Sequence, residues 1–267
     1  MKIEFIGKTL LIEEKGKKTL VIGDLHLGYE ESLNLSGVLI TRKMFGEMIE
    51  ELEKVLGKIA ELNEKDARIM KDKKIINNKP EDEVGGDNKV VDEIILLGDV
   101  KHKFSGNLKQ EWKEVLELID YLSVKCKKII ITRGNHDNYL KTILSKRKKV
   151  KIVDYYVNNK IAFVHGDKDF KEIWQRDVKT VIVGHLHPAI TLQEGAKSER
   201  YKCFLDGKLK RKRIIILPSF FEYSEGTDIK ENKNNLVWDL DLKKFNVKIV
   251  GDNLEVLDFG LVKELKD

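Results

Sequence analysis

The chain opens with alternation. Ile3 and Phe5 stand between polar neighbours, Leu10 to Ile12 follows, and Lys15-Gly16-Lys17 supplies turn chemistry, a pattern that predicts a β-meander. Thr19 to Ile22 is then a short apolar run that stops at Gly23-Asp24. From Arg42 to Leu62 the period changes: Phe45, Met48, Ile49, Leu52, Val55, Leu56, Ile59 and Leu62 fall at the three-four spacing of an amphipathic helix. A second such helix is predicted over Glu111 to Leu122, using Trp112, Val115, Leu116, Ile119 and Leu122. Ile94 to Leu97, Ile129 to Ile131, Ile161 to Val164, Val181 to Val183 and Ile214 to Leu217 read as buried strands. In the tail, Leu236, Trp238, Leu240 and Leu242 alternate on one predicted strand and Phe245, Val247 and Ile249 on the next. Strands alternating with helices and flanked by meanders predict an α/β protein, with stacked sheets covered by helices on both sides.

Between about residues 66 and 92 the periodicity fails. The stretch is rich in Lys, Asp and Asn and carries a Pro and a Gly-Gly pair, so it reads as a mobile, charged surface insertion within one domain spanning 1–267. Apolar residues make up 41% of the chain, ample for a core, and 36% are charged. A Lys/Glu-rich balance with few Cys and Met is compatible with a heat-adapted cytosolic protein. The formal charge of +5 permits a polyanionic partner without requiring one. Basic residues do cluster, at Lys141, Lys146, Arg147, Lys148, Lys149 and Lys151, and again at Lys208, Lys210, Arg211, Lys212 and Arg213; either group also fits a solvated face. Cys126 and Cys203 are far apart and outside any CxxC pair, which argues against a disulfide framework or zinc ribbon. With no signal peptide and no apolar run of membrane length, a soluble, cytoplasmic protein is expected.

Five of the buried strands run into loops that begin with metal-competent residues. These are Asp24-Leu25-His26, Gly98-Asp99-Val100-Lys101-His102, Gly134-Asn135-His136-Asp137, His165-Gly166-Asp167 and Gly184-His185-Leu186-His187, and together they hold all six histidines of the chain. Open sheets place ligand sites where strands end and loops diverge. Asp24/His26 and His185/His187 are two apart, so in locally extended backbone each pair points one way. Oxygen and imidazole donors without thiolate suit Mn, Fe, Zn or similar ions. Each loop alone occurs in ordinary turns; all five in this order do not.

The ordered set DLH, GDVKH, GNHD, HGD and GHLH resembles the calcineurin-like metallophosphoesterase superfamily over roughly Val21 to Phe221. GDVKHxF and the stretch RYKCFLDG…IIILPSF resemble its ICC-like branch, which includes DNA-ligase-associated phosphoesterases. The resemblance implies a four-layer αββα sandwich and a centre of two divalent ions, Mn first, with Fe, Zn, Ni or Mg as alternatives. It implies that Asp24, His26 and His187 hold one ion, that Asn135, His165 and His185 hold the other, and that Asp99 bridges them. A shared carboxylate fits, because two neighbouring dications repel unless an anion lies between them. A bridging hydroxide would attack phosphorus in line with the leaving oxygen. His136 is the expected general acid, and Asp137 the residue that orients its imidazole. His102 is either a phosphate contact or proton donor or a loop-stabilising residue, and Arg133 reads as a structural ion pair.

Three functions remain open from the sequence. The first is a phosphodiesterase acting on single-stranded DNA or RNA, which the branch resemblance favours, as would the basic clusters if they flank the site. Tyr29, Tyr139, Phe220 and Phe221 could stack on bases there, though each also reads as packing. The second is a phosphomonoesterase or small-molecule phosphodiesterase, for example on cyclic nucleotides. The third is a non-catalytic scaffold, which the filled ligand positions disfavour. A phosphate ester is the expected partner, and the sequence identifies no protein partner.

Overall fold

The apolar runs pair into two sheets in the computed structural model, which describes residues 1–76, 89–231 and 235–265. The first sheet runs in chain order through β1 (Lys2–Ile6), β2 (Thr9–Glu14), β3 (Lys17–Ile22), β4 (Val91–Leu96), β5 (Cys126–Thr132) and β6 (Val150–Val153). β1 to β3 form the predicted antiparallel meander, and β3 to β6 are parallel. The second sheet contains β7 (Tyr155–Asn158), β8 (Ile161–Val164), β9 (Thr180–Val183), β10 (Pro188–Glu194), β11 (Lys197–Leu209), β12 (Lys212–Ile216) and β13 (Thr227–Asp228). Their order is β13-β10-β11-β12-β9-β8-β7, with β14 (Asn246–Val250) paired to β11 and to β15 (Val256–Leu261). β8, β9 and β12 are mutually parallel.

The strands of the parallel segments are apolar throughout because both of their faces are buried. Val21, Ile95, Leu97 and Ile130 of the first sheet meet Phe163, Ile182, Phe204 and Ile215 of the second in a dry layer between the sheets. The alternate positions Leu20, Ile22, Ile94, Leu96 and Ile131 face outward. There they pack under α2 (Met44–Ile76) and α3 (Lys109–Lys125), which follow the short α1 (Tyr29–Leu35) and precede α4 (Leu140–Ile143). Among the described residues, no helix is long and apolar enough to cross a membrane.

Three differences from the sequence reading have physical causes. α2 continues to Ile76, so residues 66–76 of the expected insertion are helical; residues 77–88 lie outside the described residues, and β4 has begun by Val91. The outer face of the second sheet carries no α-helix among the described residues. Leu236, Trp238, Leu240 and Phe245 cover it, together with Ile173 of a short 3-10 turn. The segment from Leu236 to Leu240 keeps its alternating burial but joins no ladder, and β14 pairs instead with β11 and β15. Alternation reports which face is buried, and a hydrogen-bonded partner is a separate matter.

Candidate metal centre

The parallel strands point the same way, so the loops after β3, β4 and β5 open at the same end as those after β8 and β9. The site therefore straddles the seam between the sheets. The loop after β3 is laid against the loop after β4: Leu25 and His26 donate their backbone N–H groups to the Asp99 carbonyl, at 3.1 and 2.9 Å. Asp24 reaches across to the second sheet, where His185 donates its backbone N–H to the carboxylate at 3.1 Å from Oδ2. Asp24 and His165 are fully buried, and Asp99 is nearly so.

The side chains fall into two sets of metal-competent donors, Asp24/His26/His187 and Asp99/His165/His185. Their spacings test whether ions fit. Donors ~2.1 Å from one ion stand about 3.0 Å apart at a right angle and about 3.4 Å apart at a tetrahedral one. Here His187 Nε2 is 3.2 Å from Asp24 Oδ1, and His185 Nδ1 is 3.0 Å from His165 Nε2. His165 Nε2 is also 3.2 Å from Asn135 Oδ1 and 3.3 Å from Asp99 Oδ2. Asp99 Oδ2 lies 3.9 Å from His26 Nε2 as well, which sets its carboxylate between the two groups. His26 Nδ1 and His187 Nε2 are buried with no hydrogen-bond partner among the described residues. Buried polar atoms of that kind are rare without a ligand to satisfy them. The residues fit divalent cations.

Electrostatics agree. Burial works against the Asp24 charge, but the His187, His165 and His26 imidazoles outweigh it and hold the carboxyl well below its usual range. Burial likewise lowers His165, yet its hydrogen bond to Asp99 and the Asp24 and Asp99 carboxylates raise it to about 10. A site that draws positive charge this strongly is built for cations. His26, by contrast, is pushed down to about 3, chiefly by burial, which keeps the imidazole neutral, the form that binds metal. The His165 tautomer is fixed from behind: Nδ1 donates to the Leu97 carbonyl at 2.7 Å, leaving Nε2 for the site.

The backbone is strained where the donors sit. His26, Asp99, His185 and His187 have positive φ values, from 46° to 64°. For residues other than glycine this costs on the order of 1–3 kcal/mol each, and such outliers gather at functional sites. At Gly134 the loops leave no room for a side chain, since an added Cβ would stand 2.5 Å from the Asp99 amide nitrogen.

The structure redistributes the other candidates. Asp137 does not face the His136 imidazole. Its buried carboxylate accepts backbone N–H groups from Val100 at 2.8 Å and Gly134 at 2.9 Å, tying the loops of Asp99 and Asn135 together. Burial, and then the neighbouring Asp99 charge, raise its pKa to about 6. The partner of His136 Nδ1 is instead the backbone carbonyl of His102. The His102 ring stacks on His136 with centroids 5.7 Å apart, and with His26 and His136 it forms a third cluster of nearby donors. Arg133 pairs with Asp154 at 3.4 Å.

Much of the basic charge has local work. Arg147 pairs with Asp120 through two 2.7 Å contacts, Arg213 with Asp206, and Lys212 donates to the carbonyls of Gln175 and Val178. The group Lys208 to Arg213 lies at the hairpin before β12, the end of the sheet opposite the site. Phe220 and Phe221 are buried, and their backbone N–H groups donate to the Asp24 carbonyl.

Sequence reasoning missed Lys202. It is partly buried beneath the Phe220–Phe221 loop, where its ammonium donates to the Ser219 and Phe221 carbonyls and to Ser219 Oγ. Burial first, and then the nearby Lys8, push its pKa down to about 7. Nothing in the pattern marks a lysine on a polar-looking strand as an interior brace. Equally silent in the sequence is the pair Lys101 and Glu111, both fully buried, which shapes the loop after His102.

The family model for calcineurin-like phosphoesterases covers residues 17–251. The nuclease MPE of Pseudomonas putida is similar in structure, with a TM-score of 0.55 at 16% identity, over 94% of this chain and 100% of that one. A predicted phosphoesterase from Streptococcus pneumoniae TIGR4 is a more partial likeness, with a TM-score of 0.27 at 15% identity, over 63% of this chain and 80% of that one. No curated protein matches the chain. The chain belongs to the calcineurin-like phosphoesterases and is a metal-dependent hydrolase of phosphate esters.

Proposed function

We propose that the protein is a two-metal phosphodiesterase that cleaves single-stranded nucleic acid, with manganese as its working ion. The observation that carries the two-ion reading is the pair of neighbouring donor sets, one of them containing Asp99, whose Oδ2 also lies 3.9 Å from His26 Nε2 of the other. The substrate class rests on the structural likeness to a nuclease over the whole of that chain. Exposed aromatic rings beside the site add to it.

Divalent ions held there supply Lewis acidity, drawing charge from phosphoryl oxygens and lowering the pKa of water. The chain supplies the rest. Asp24 and Asp99 offset the ionic charge, and the neutral His26 offers a lone pair without adding charge. The His102 carbonyl accepts from His136 Nδ1 and so fixes the proton on that nitrogen. His136 can then deliver a proton to a leaving oxygen only from Nε2, and only as the imidazolium. The expected contribution of such a donor is about 10²–10⁴-fold.

The test is a panel. Purified protein loaded with Mn, Mg, Zn or Ni is offered single-stranded DNA, RNA, a bis-ester and a monoester, beside the variant Asp99→Asn. Cleavage of single strands, and loss of both turnover and bound metal in the variant, are expected. Activity confined to the monoester would end the nucleic-acid reading, and near-normal turnover in Asp99→Asn would end the shared-carboxylate centre.

A further inference from the structure

Phe104 is 58% exposed, yet its loop is braced by buried side chains. The buried Lys101 donates to the carbonyls of Lys103 and Gly106, and the buried Glu111 accepts the backbone N–H groups of Lys103 and Leu108. Asn138, two residues beyond His136, donates to the Phe104 carbonyl at 3.1 Å, locking this loop to the metal loop. The result is a large apolar ring held in water, edge-on to His136 with centroids 5.8 Å apart. Tyr139, on the other flank of Asn138, is 59% exposed, and it holds a φ of 68°, which a tyrosine adopts only against resistance. Two large rings are thus presented to solvent, one edge-on to His136 and the other three residues after it in the chain. Exposed Lys109 and Lys141 give the same two segments positive charge.

We infer that Phe104, with Tyr139 beside it, is a stacking platform for the nucleobase next to the scissile phosphate on the side of the leaving oxygen. This rests on the phosphodiesterase reading above and makes Phe104 a specificity-determining residue. A flat, sequence-tolerant partner follows from the chemistry: an aromatic face stacks on any base, and the flanking lysines suit the backbone phosphates. The rigid loop removes the ordering cost that a mobile ring would incur on binding.

The experiment compares a single-stranded oligonucleotide with the same strand made abasic around the cleavage site, using the manganese-loaded wild type, Phe104→Ala and Phe104→Trp. Phe104→Ala should raise KM for the intact strand by roughly 5- to 100-fold, with kcat much less affected. Phe104→Trp should restore it, and Phe104→Ala should add nothing to the loss already caused by removing the bases. Equal losses on intact and abasic strands would overturn the platform and reassign the ring to supporting His136. An unchanged KM on the intact strand would overturn it as well. A wild type that hydrolyses small esters but neither strand would instead overturn the parent reading, and the platform with it.

Discussion

Replacing Gly134 with alanine measures how closely the metal loops must approach. Gly134 is not among the residues with positive φ, so its backbone accepts alanine. At an open position of that kind the change stabilises by about 0.4–1 kcal/mol, by restricting the unfolded chain. At this position the added Cβ would stand 2.5 Å from the Asp99 amide nitrogen, 2.9 Å from Cγ, and closer still to Oδ1. Ordinary non-bonded contact needs about 3.5 Å, so the Asp99 segment must retreat by ~1 Å. Coordination distances tolerate about 0.2 Å. The Asp99 carboxylate therefore leaves its place while the fold survives. Overpacking should cost about 1–3 kcal/mol, and manganese affinity should fall by about 10- to 100-fold. Calorimetric manganese titration, urea unfolding and turnover of bis(p-nitrophenyl) phosphate read the three effects. Gly57→Ala is the control: it lies exposed in α2, where an added Cβ meets nothing within 4 Å, and should stabilise by about 0.5–1 kcal/mol. A Gly134→Ala protein that binds manganese with wild-type affinity and unfolds at the wild-type midpoint would refute the reasoning.

Three further outcomes are expected. His136→Ala should cut turnover of alkyl diesters far more than of p-nitrophenyl diesters, because a good leaving group needs no proton; equal losses would remove His136 from the general-acid role. Lys202 has a folded pKa of about 7 against an ordinary value of 10.5, so between these limits the unfolded chain binds more protons and stability rises with pH. Its contribution is complete above the unfolded value and is lost as pH falls toward 7; wild type should gain about 2 kcal/mol over Lys202→Met between pH 7 and 9 in urea unfolding, and parallel pH profiles would contradict this. Chelation should lower the melting temperature, since the buried carboxylates of Asp24 and Asp99 lose the cations that offset them; added manganese should restore it, and a melting temperature indifferent to both would count against a metal centre.

The donor loops were legible because fully buried parallel strands must be apolar and must end abruptly, so Asp24, Asp99 and His165 announce themselves after Ile22, Leu97 and Val164. The gathering of every histidine into such loops was equally visible. What stayed hidden depended on partners distant in sequence. β11 begins with exposed Lys, Ser, Glu and Arg, and its strand character comes from pairing with β10 rather than from apolar content. α2 continues past Leu62, where the apolar stripe that predicted it has faded. The adjacency of Asp137 to His136 in the chain implied a contact, yet the turn sends the two side chains to separate backbone groups, Asp137 to the Val100 N–H and His136 to the His102 carbonyl. Lys8 and Lys101 look solvated by residue type and are buried in fact, and Lys202 is half-buried.

Because the donors are divided between two sheets, the centre cannot be complete until those sheets have docked. Asp24, His26, Asp99 and Asn135 follow strands of the first sheet, whereas His165, His185 and His187 arrive with the second. Manganese should therefore act late along the folding route, leaving the folding rate nearly unchanged and slowing the escape from the native state. In a cell, the ion would govern the lifetime of the folded protein more than the speed of its making.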